Sequence, residues 1–530
     1  MHKALNLPGG QALRAAAAAQ AENGLATLAK VVGFPAEVRP GEAVPSPLIA
    51  RLCQKLAERK VSYCHWKSNW KLDEWLTGEG DLDLLVDRKD AAEFTSVVTG
   101  LGFKQAQATR DREVPGILNF YGFDAESARF IHLHVHYQLI LGHDLTKNYR
   151  LPIEKPYLES AAASSGPLPA PAPEFEFVVY VLRMVLKYTA AETVLRRALR
   201  KSPSSAVRRE LEQLEASCDR ARVLAVLEEH LPFLDAPFFG SCVESLRAGR
   251  TLSERAAVKS ELRRRLRANA RRAQLADTLL KPARQLTRTV RERVFKKSSR
   301  KQLTNGGLLI ALVGGDGAGK TTAVKGLSRW LSKKFVVRRF HVGKPPRSAL
   351  TLVVIVALRI RRSLSKSYAA NLDAVRHGRA HKFPGYLQLL RWVCAGRDRR
   401  RLYRRARRFS TNGGISVCDR YPIPQIHLMD GPTIRRAVGG ERASRLVRFM
   451  LSAEERCYAE IMPPDLLVVL RLDPEVAVRR KTEESEAHVR SRSRELWEVD
   501  WRGTRAHVLD AGQSAEAVRA ELQSLVWENL

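Results

Sequence analysis

Hydrophobic and polar positions follow two rhythms along this chain. Leu48, Ile49, Leu52 and Leu56 recur at helical spacing, predicting an amphipathic helix where ordered structure begins, near Pro47. Residues 177–187 form an apolar helix-length stretch after a loop rich in Ala, Ser and Pro at 161–173. From Gly306 onward, short apolar runs at 308–313, 336–342, 415–418, 466–472 and 507–509 predict strands. The stretches between them are long enough for helical crossovers, so this part reads as α/β with a parallel sheet. Val324, Leu327 and Leu331 place a helix directly after the first of these strands. The longest apolar run, 349–358, falls far short of the roughly 20 residues of a membrane span and predicts a core helix.

Composition adds charge to this picture. The 530 residues are 45% hydrophobic and 7% aromatic, enough for two to four globular domains. The formal net charge of +34 points to an anionic partner, although arginine alongside abundant alanine also reflects compositional bias. Between Thr251 and Arg300 sixteen Lys or Arg face four acidic residues, as in Glu261-Leu262-Arg263-Arg264-Arg265-Leu266-Arg267. Such a run is a solvated helix face or a site for nucleic acid, an anionic polymer or a membrane surface. The seven cysteines are scattered with no C-x-x-C pair, against a disulfide framework or zinc site and for a reducing cytoplasm. Ala15 to Ala19 is too short and too weakly apolar for a signal-peptide core, so a soluble, cytoplasmic protein is expected. The expected plan is a flexible tail at 1–46, an α+β domain at 47–190, a basic helical linker at 191–305 and a parallel α/β domain at 306–530.

The most specific chemistry lies in Gly314-Gly315-Asp316-Gly317-Ala318-Gly319-Lys320-Thr321-Thr322, which fits G-x-x-x-x-G-K-[ST] between a predicted strand and a predicted helix. Glycines let the backbone wrap closely, and consecutive N–H groups with the helix N-terminus face an anion. Lys320 is placed to reach the outer phosphates and Thr321 to hold Mg²⁺, which predicts binding of a nucleoside triphosphate.

An ordered series of motifs over about 220 residues resembles the thymidylate kinase-like family of P-loop kinases. The loop matches its D-G-A-G-K-T-T form, Arg397-Asp398-Arg399 its A-D-R step, and Asp419-Arg420-Tyr421 its D-R-Y. Pro464-Asp465-Leu466, Asp473-Pro474-Glu475-Val476-Ala477, the basic segment Arg479 to Arg494 and Val508-Leu509-Asp510-Ala511 follow in the family's order. The resemblance implies ATP and Mg²⁺ as cofactors, with Lys320 and the loop amides on the donor and Thr321 and Asp419 serving the metal. It further implies Asp316 toward the acceptor sugar, Arg399 toward the acceptor phosphate and Arg420 as a catalytic residue of the D-R-Y match. Arg479, Arg480 and Arg490 are the candidate lid arginines, or else helix-surface charge. The acceptor side departs from the family. Gly343-Lys344-Pro345-Pro346-Arg347 replaces its Arg-Glu-Pro-Gly type turn, and Pro422-Ile423-Pro424-Gln425 and Met429-Asp430-Gly431-Pro432 replace the elements after D-R-Y. The expected acceptor is therefore a nucleotide or other small phosphorylated molecule rather than thymidylate.

Asp81-Leu82-Asp83-Leu84-Leu85-Val86, followed by Ile131-His132-Leu133-His134-Val135-His136-Tyr137, resembles the minimal nucleotidyltransferase superfamily over residues 47–190. Two carboxylates on one strand face attract a cation, and the resemblance implies Mg²⁺ at Asp81 and Asp83. The family's third carboxylate is replaced by His134, and His65-Trp66-Lys67-Ser68-Asn69 stands at its glycine-serine element. The three alternate histidines share one face, as a metal or phosphate site or as a polar strand face. Two further functions stay open: nucleotidyl transfer regulated by the P-loop domain, and nucleotide-switched docking on an anionic polymer or membrane through the basic helices.

Overall fold

The structure is a computed structural model describing residues 45–108, 113–162, 168–187, 205–247, 250–293, 300–364, 383–426, 431–438, 444–481 and 485–530. The expected tail up to residue 44, the linker segments 191–204 and 294–299, and Met429 and Asp430 lie outside these residues. The chain divides into two compact units, Met1–Ser299 and Arg300–Leu530.

In the first unit, α1 (Pro47–Glu58) starts with proline at its first position and buries Leu48, Ile49, Leu52 and Leu56, the stripe predicted from spacing. Strands β1 (Tyr63–His65), β2 (Asp81–Val86), β3 (Lys104–Gln107), β4 (Ile117–Asp124) and β5 (Arg129–His136) lie side by side in the order β1-β2-β5-β4-β3. The β2–β5 pair is parallel and sets Asp81 opposite His132 and Asp83 opposite His134. Side chains alternate across a strand. Leu82, Leu84, Ile131, Leu133 and Val135 therefore enter one apolar cluster, with Phe94 and Phe120, while the acids and histidines take the other face. A short hairpin follows, β6 (Leu139–Leu141) with β7 (Tyr149–Leu151), and then α2 (Pro173–Lys187), buried along most of its length.

The residues expected to form a linker instead build much of this unit's second core. Helices α3 (Ser205–Ser217), α4 (Arg220–His230), α5 (Ala236–Leu246) and α6 (Leu252–Arg265) bring Leu211, Leu214, Val226, Leu227, Phe239, Cys242 and Leu262 against the apolar residues of α2. Leu262 and Leu266, inside the arginine run, are both fully buried. Two of the helix starts are capped: Asp219 accepts from Ala221 and Arg222, and Thr251 forms a capping box with Glu254. The arginines around them pair locally, as Arg264 and Arg265 do with Glu261.

The second unit is a five-stranded, wholly parallel sheet. β8 (Leu309–Gly314), β9 (Val337–His341), β10 (Ile415–Asp419), β11 (Leu466–Arg471) and β12 (Ala506–Asp510) lie within about one residue of the predicted runs. Their order is β9-β10-β8-β11-β12. β8 is central, buried along its whole length, and its two neighbours lead to opposite sides of the sheet. That switch point, at the carboxyl ends of the strands, is where open α/β sheets bind ligands. The helix predicted from 349–358 forms as Ala349–Leu364, but it is not a core helix. Val354 and Leu358 are buried, whereas Val353, Val356 and Ile360 are more than half exposed. Among the described residues no helix is long and apolar enough to cross a membrane, and the seven cysteines are free.

Candidate functional site

The loop after β8 turns into α7 (Lys320–Leu331) with Gly319 as N-cap. Gly317 and Gly319 hold φ of 78° and 77°, a left-handed conformation that is cheap only for glycine. A side chain at Gly314 would come within 2.9 Å of the Leu470 carbonyl, and one at Gly317 within 3.1 Å of the Ala477 carbonyl. A Cβ at Gly315 would lie 2.9 Å from Ser493 Oγ. The loop is thus pressed beneath α8 (Pro474–Arg480) and α9 (Glu486–Glu498). Ala318 is buried among it, and Thr321 and Thr322 stand exposed on the first turn of α7.

Lys320 is 8% exposed and its Nζ donates to the Gly315 carbonyl at 2.5 Å, closing the loop on its own ammonium. Burial pushes that ammonium down to about 8, assisted by Arg420 and opposed by Asp316 and Asp419. Asp316, 4% exposed, accepts from Arg492 Nη1 at 3.2 Å. Burial raises its carboxyl, but Lys320, Arg492 and Arg420 outweigh that and hold it below its ordinary value. A carboxyl lowered in the fold stabilises the fold above its unfolded value of about 3.9 and loses that contribution on acidification. Asp316→Asn should therefore lower the melting temperature at neutral pH, with the gap to wild type closing as the pH falls below about 4. A gap unchanged across that range would remove the pairing from the account.

Asp419 ends β10, two residues across the sheet from the loop through its pairing with Leu312 of β8. Its Oδ1 is buried and has no hydrogen-bond partner among the described residues. Arg420 follows at φ 54°, strained for a residue with a Cβ, and Tyr421 turns into the core to donate to the Met462 carbonyl at 2.6 Å. An orphaned carboxylate oxygen beside a phosphate loop, with the Thr321 hydroxyl on the adjoining helix turn, is a donor set that fits Mg²⁺.

Arg399 lies on α10 (Tyr386–Thr411). Its guanidinium is spent on structure: Nη2 donates to the Gly343 carbonyl at 3.2 Å, Nε to that of Val342 at 3.4 Å, and Nη1 to the Tyr458 hydroxyl. Asp398, 4% exposed, accepts from the Ser348 amide at 3.1 Å and the Thr351 hydroxyl at 2.7 Å, at the start of helix Ala349–Leu364. The pair brackets the altered turn Gly343–Arg347 from both ends, which places Arg399 to hold that turn in position.

The lid arginines divide. Arg490 binds Glu475 at 2.8 and 3.0 Å, joining α9 to α8, and Arg480 donates to the Ala511 carbonyl at 3.0 Å. Arg479 is exposed. The arginine that reaches the loop is Arg492, which the sequence pattern did not single out. On a helix crowded with arginine only its tertiary contact with Asp316 distinguishes it.

In the first unit, Asp81 and Asp83 are each engaged with protein partners. Asp83 Oδ1 already accepts from Lys67 Nζ at 2.8 Å and lies 2.8 Å from His134 Nδ1. Asp81 is half exposed and bonded to His132 Nδ1 at 2.7 Å. Around Asp83 the neighbouring polar atoms are thus a lysine ammonium and imidazole nitrogens, whereas Mg²⁺ takes oxygen ligands. Burial pushes the His134 imidazolium down to about 4 against the opposing pull of Asp83, and burial beside His134 lowers His136 as well. Both rings are neutral near pH 7.

A phosphate loop between the central strand of a parallel sheet and the next helix gives the second unit the form of a P-loop α/β fold. No family model matches the chain. Among curated proteins it is 24% identical over 226 residues to the uncharacterized ATP-binding protein YghR of Escherichia coli K12, covering 41% of this chain and 86% of that protein. The YghR protein of Escherichia coli O6:H1 matches with the same figures. Among solved structures, deoxyadenosine kinase from M. mycoides with bound dATP aligns with 41% of this chain and 98% of its own, at 13% identity and a TM-score of 0.26.

Proposed function

We propose that the chain is an ATP- and Mg²⁺-dependent phosphotransferase of thymidylate kinase-like type, with residues 306–530 carrying the chemistry and a small phosphorylated acceptor other than thymidylate. The observation that carries this reading is the pairing of a buried lysine closed over a glycine loop with an orphaned carboxylate oxygen on the neighbouring strand. The match to an ATP-binding protein supports the donor.

Phosphoryl transfer spreads negative charge over the transferring group, so positioning and fixed positive charge carry most of the catalysis. Loop amides and the N-terminus of α7 face the donor phosphates, and Lys320 exchanges the Gly315 carbonyl for phosphate oxygens. Thr321 and Asp419 would hold Mg²⁺, which neutralises charge on those oxygens. Arg492, hinged on Asp316, and Arg420 stand beside the loop to meet the charge that develops. On the acceptor side Lys344 and Arg347 make the turn basic where an acidic residue stands in thymidylate kinases, which suits a more anionic acceptor.

Incubation with γ-labelled ATP, Mg²⁺ and a panel of nucleoside monophosphates and sugar phosphates tests the proposal. Label is expected on one acceptor class and not on thymidylate. Absence of transfer to any acceptor, together with no measurable ATP binding, would overturn it.

A further inference from the structure

The polar face of the first unit's sheet gathers more ionisable groups than its packing requires. β2 and β5 run parallel in fixed register, so Asp83 stands opposite His134, and His136 follows on the same face. Their polar atoms form a small triangle. His134 Nδ1 is 2.8 Å from Asp83 Oδ1, His136 Nε2 is 3.3 Å from His134 Nδ1, and His136 Nε2 is 4.0 Å from Asp83 Oδ1. One ligand atom from each residue lies within 4.8 Å of the other two. A tetrahedral zinc ion with bonds of about 2.0–2.2 Å spaces its nitrogen and oxygen ligands about 3.3 Å apart, close to the mean of these edges.

We propose that Asp83, His134 and His136 form a binding site for one borderline divalent metal ion of the zinc type. Two imidazole nitrogens and one carboxylate oxygen disfavour Mg²⁺ and Ca²⁺, which take oxygen sets, and favour Zn²⁺ or Co²⁺. His136 is fully buried, while Asp83 and His134 keep 13% and 22% of their side chains exposed. The triangle therefore has a walled side and a side open to a fourth ligand. Because the ligands come from two hydrogen-bonded strands, little reorganisation is needed when an ion enters.

Neighbouring residues sharpen the assignment. His132 lies on the same face, yet both its nitrogens are engaged, Nδ1 with Asp81 at 2.7 Å and Nε2 with Asn119 at 3.1 Å. Its ring also stacks on Tyr121 at 4.4 Å. It is the built-in control. Lys67 holds Asp83 Oδ1 at 2.8 Å with its own side chain 22% exposed, so its ammonium competes with a metal for one oxygen and has solvent to swing into. A site that evolved only as a buried ion pair would depend on Lys67; a metal site is weakened by it.

The nucleotide-free full chain, stripped with chelator and titrated with Co²⁺ while its visible absorption is read, provides the test. About one equivalent is expected to bind with tetrahedral bands and to be displaced by Zn²⁺. His134→Gln and Asp83→Asn should each weaken binding at least about 10–100-fold, and His132→Gln should leave it unchanged. Lys67→Ala should tighten it. The thermal melt of each metal-free variant and its ATP binding, which depends on the other unit, report whether folding survives. No stoichiometric Co²⁺ uptake by the wild-type chain, equal losses for His134→Gln and His132→Gln, or weaker binding in Lys67→Ala would each overturn the proposal. None of these outcomes bears on phosphoryl transfer at Lys320.

Discussion

A Lys320→Ala chain is expected to fold and to lose phosphoryl transfer by about 10²–10³-fold in kcat, with ATP binding weakened as well. Lys320 is the buried cation of the loop, and its Nζ donates to the Gly315 carbonyl. Folding should survive because Asp316 keeps Arg492 as its partner. Lys320→Arg should not restore activity, since a planar guanidinium cannot take the place of a compact ammonium in so closed a pocket. The wild-type chain carries a pH signature of the same group. Its ammonium lies at about 8 in the free protein, so the charged form that meets phosphate is lost as the pH rises through that value, and ATP affinity should fall there. Equilibrium binding of labelled ATP across pH 6 to 10, roughly two units either side of that value, with steady-state kinetics of both variants, gives the answer. Activity within threefold of wild type in Lys320→Ala would remove the loop from the chemistry.

The second large effect is expected at Arg399, and it separates holding the acceptor turn from touching the acceptor. Arg399→Ala removes the donors to the Val342 and Gly343 carbonyls and to the Tyr458 hydroxyl. The turn carrying Lys344 and Arg347 then loses one of its two anchors, Asp398 being the other. KM for the acceptor should rise about 10–100-fold, as expected for mispositioning, while KM for ATP stays near wild type. Asp398→Ala should act in the same direction by freeing the start of helix Ala349–Leu364. Were Arg399 instead to stabilise transferring charge directly, kcat would fall with acceptor KM unchanged, and that result would refute the positioning role.

The three inner strands of the second unit, β8, β10 and β11, were legible because each is a short apolar run, the pattern of a strand covered on both faces. The edge strands β9 and β12 instead carry polar residues and are largely exposed. The phosphate loop was legible because its glycines are demanded by backbone geometry that the residues themselves encode. Other features depend on partners distant in sequence. Nothing in Arg490-Ser491-Arg492 tells which arginine faces Glu475 and which faces Asp316. Lys67 looks like a surface lysine until β2 brings Asp83 to it. The core role of α3–α6 was hidden by charge: Leu262 and Leu266 are swamped by arginine in composition, although their spacing is helical and both are buried. The helix Ala349–Leu364 failed in the opposite sense, since apolar residues around most of its circumference suggested a core that its neighbours do not provide.

Arg420 illustrates a trade between economy and purpose. Its backbone occupies a region where glycine would rest at ease, and an L-residue there costs on the order of 1–2 kcal/mol. The neighbouring loop places glycine at two positions where φ turns positive, Gly317 and Gly319. At 420 the chain places its bulkiest cation instead, beside Asp316 and Lys320. In the proposed reaction, the charge that the guanidinium sets beside the loop is what offsets this cost. A screen for thermal stability alone would select Gly at 420 and discard the charge.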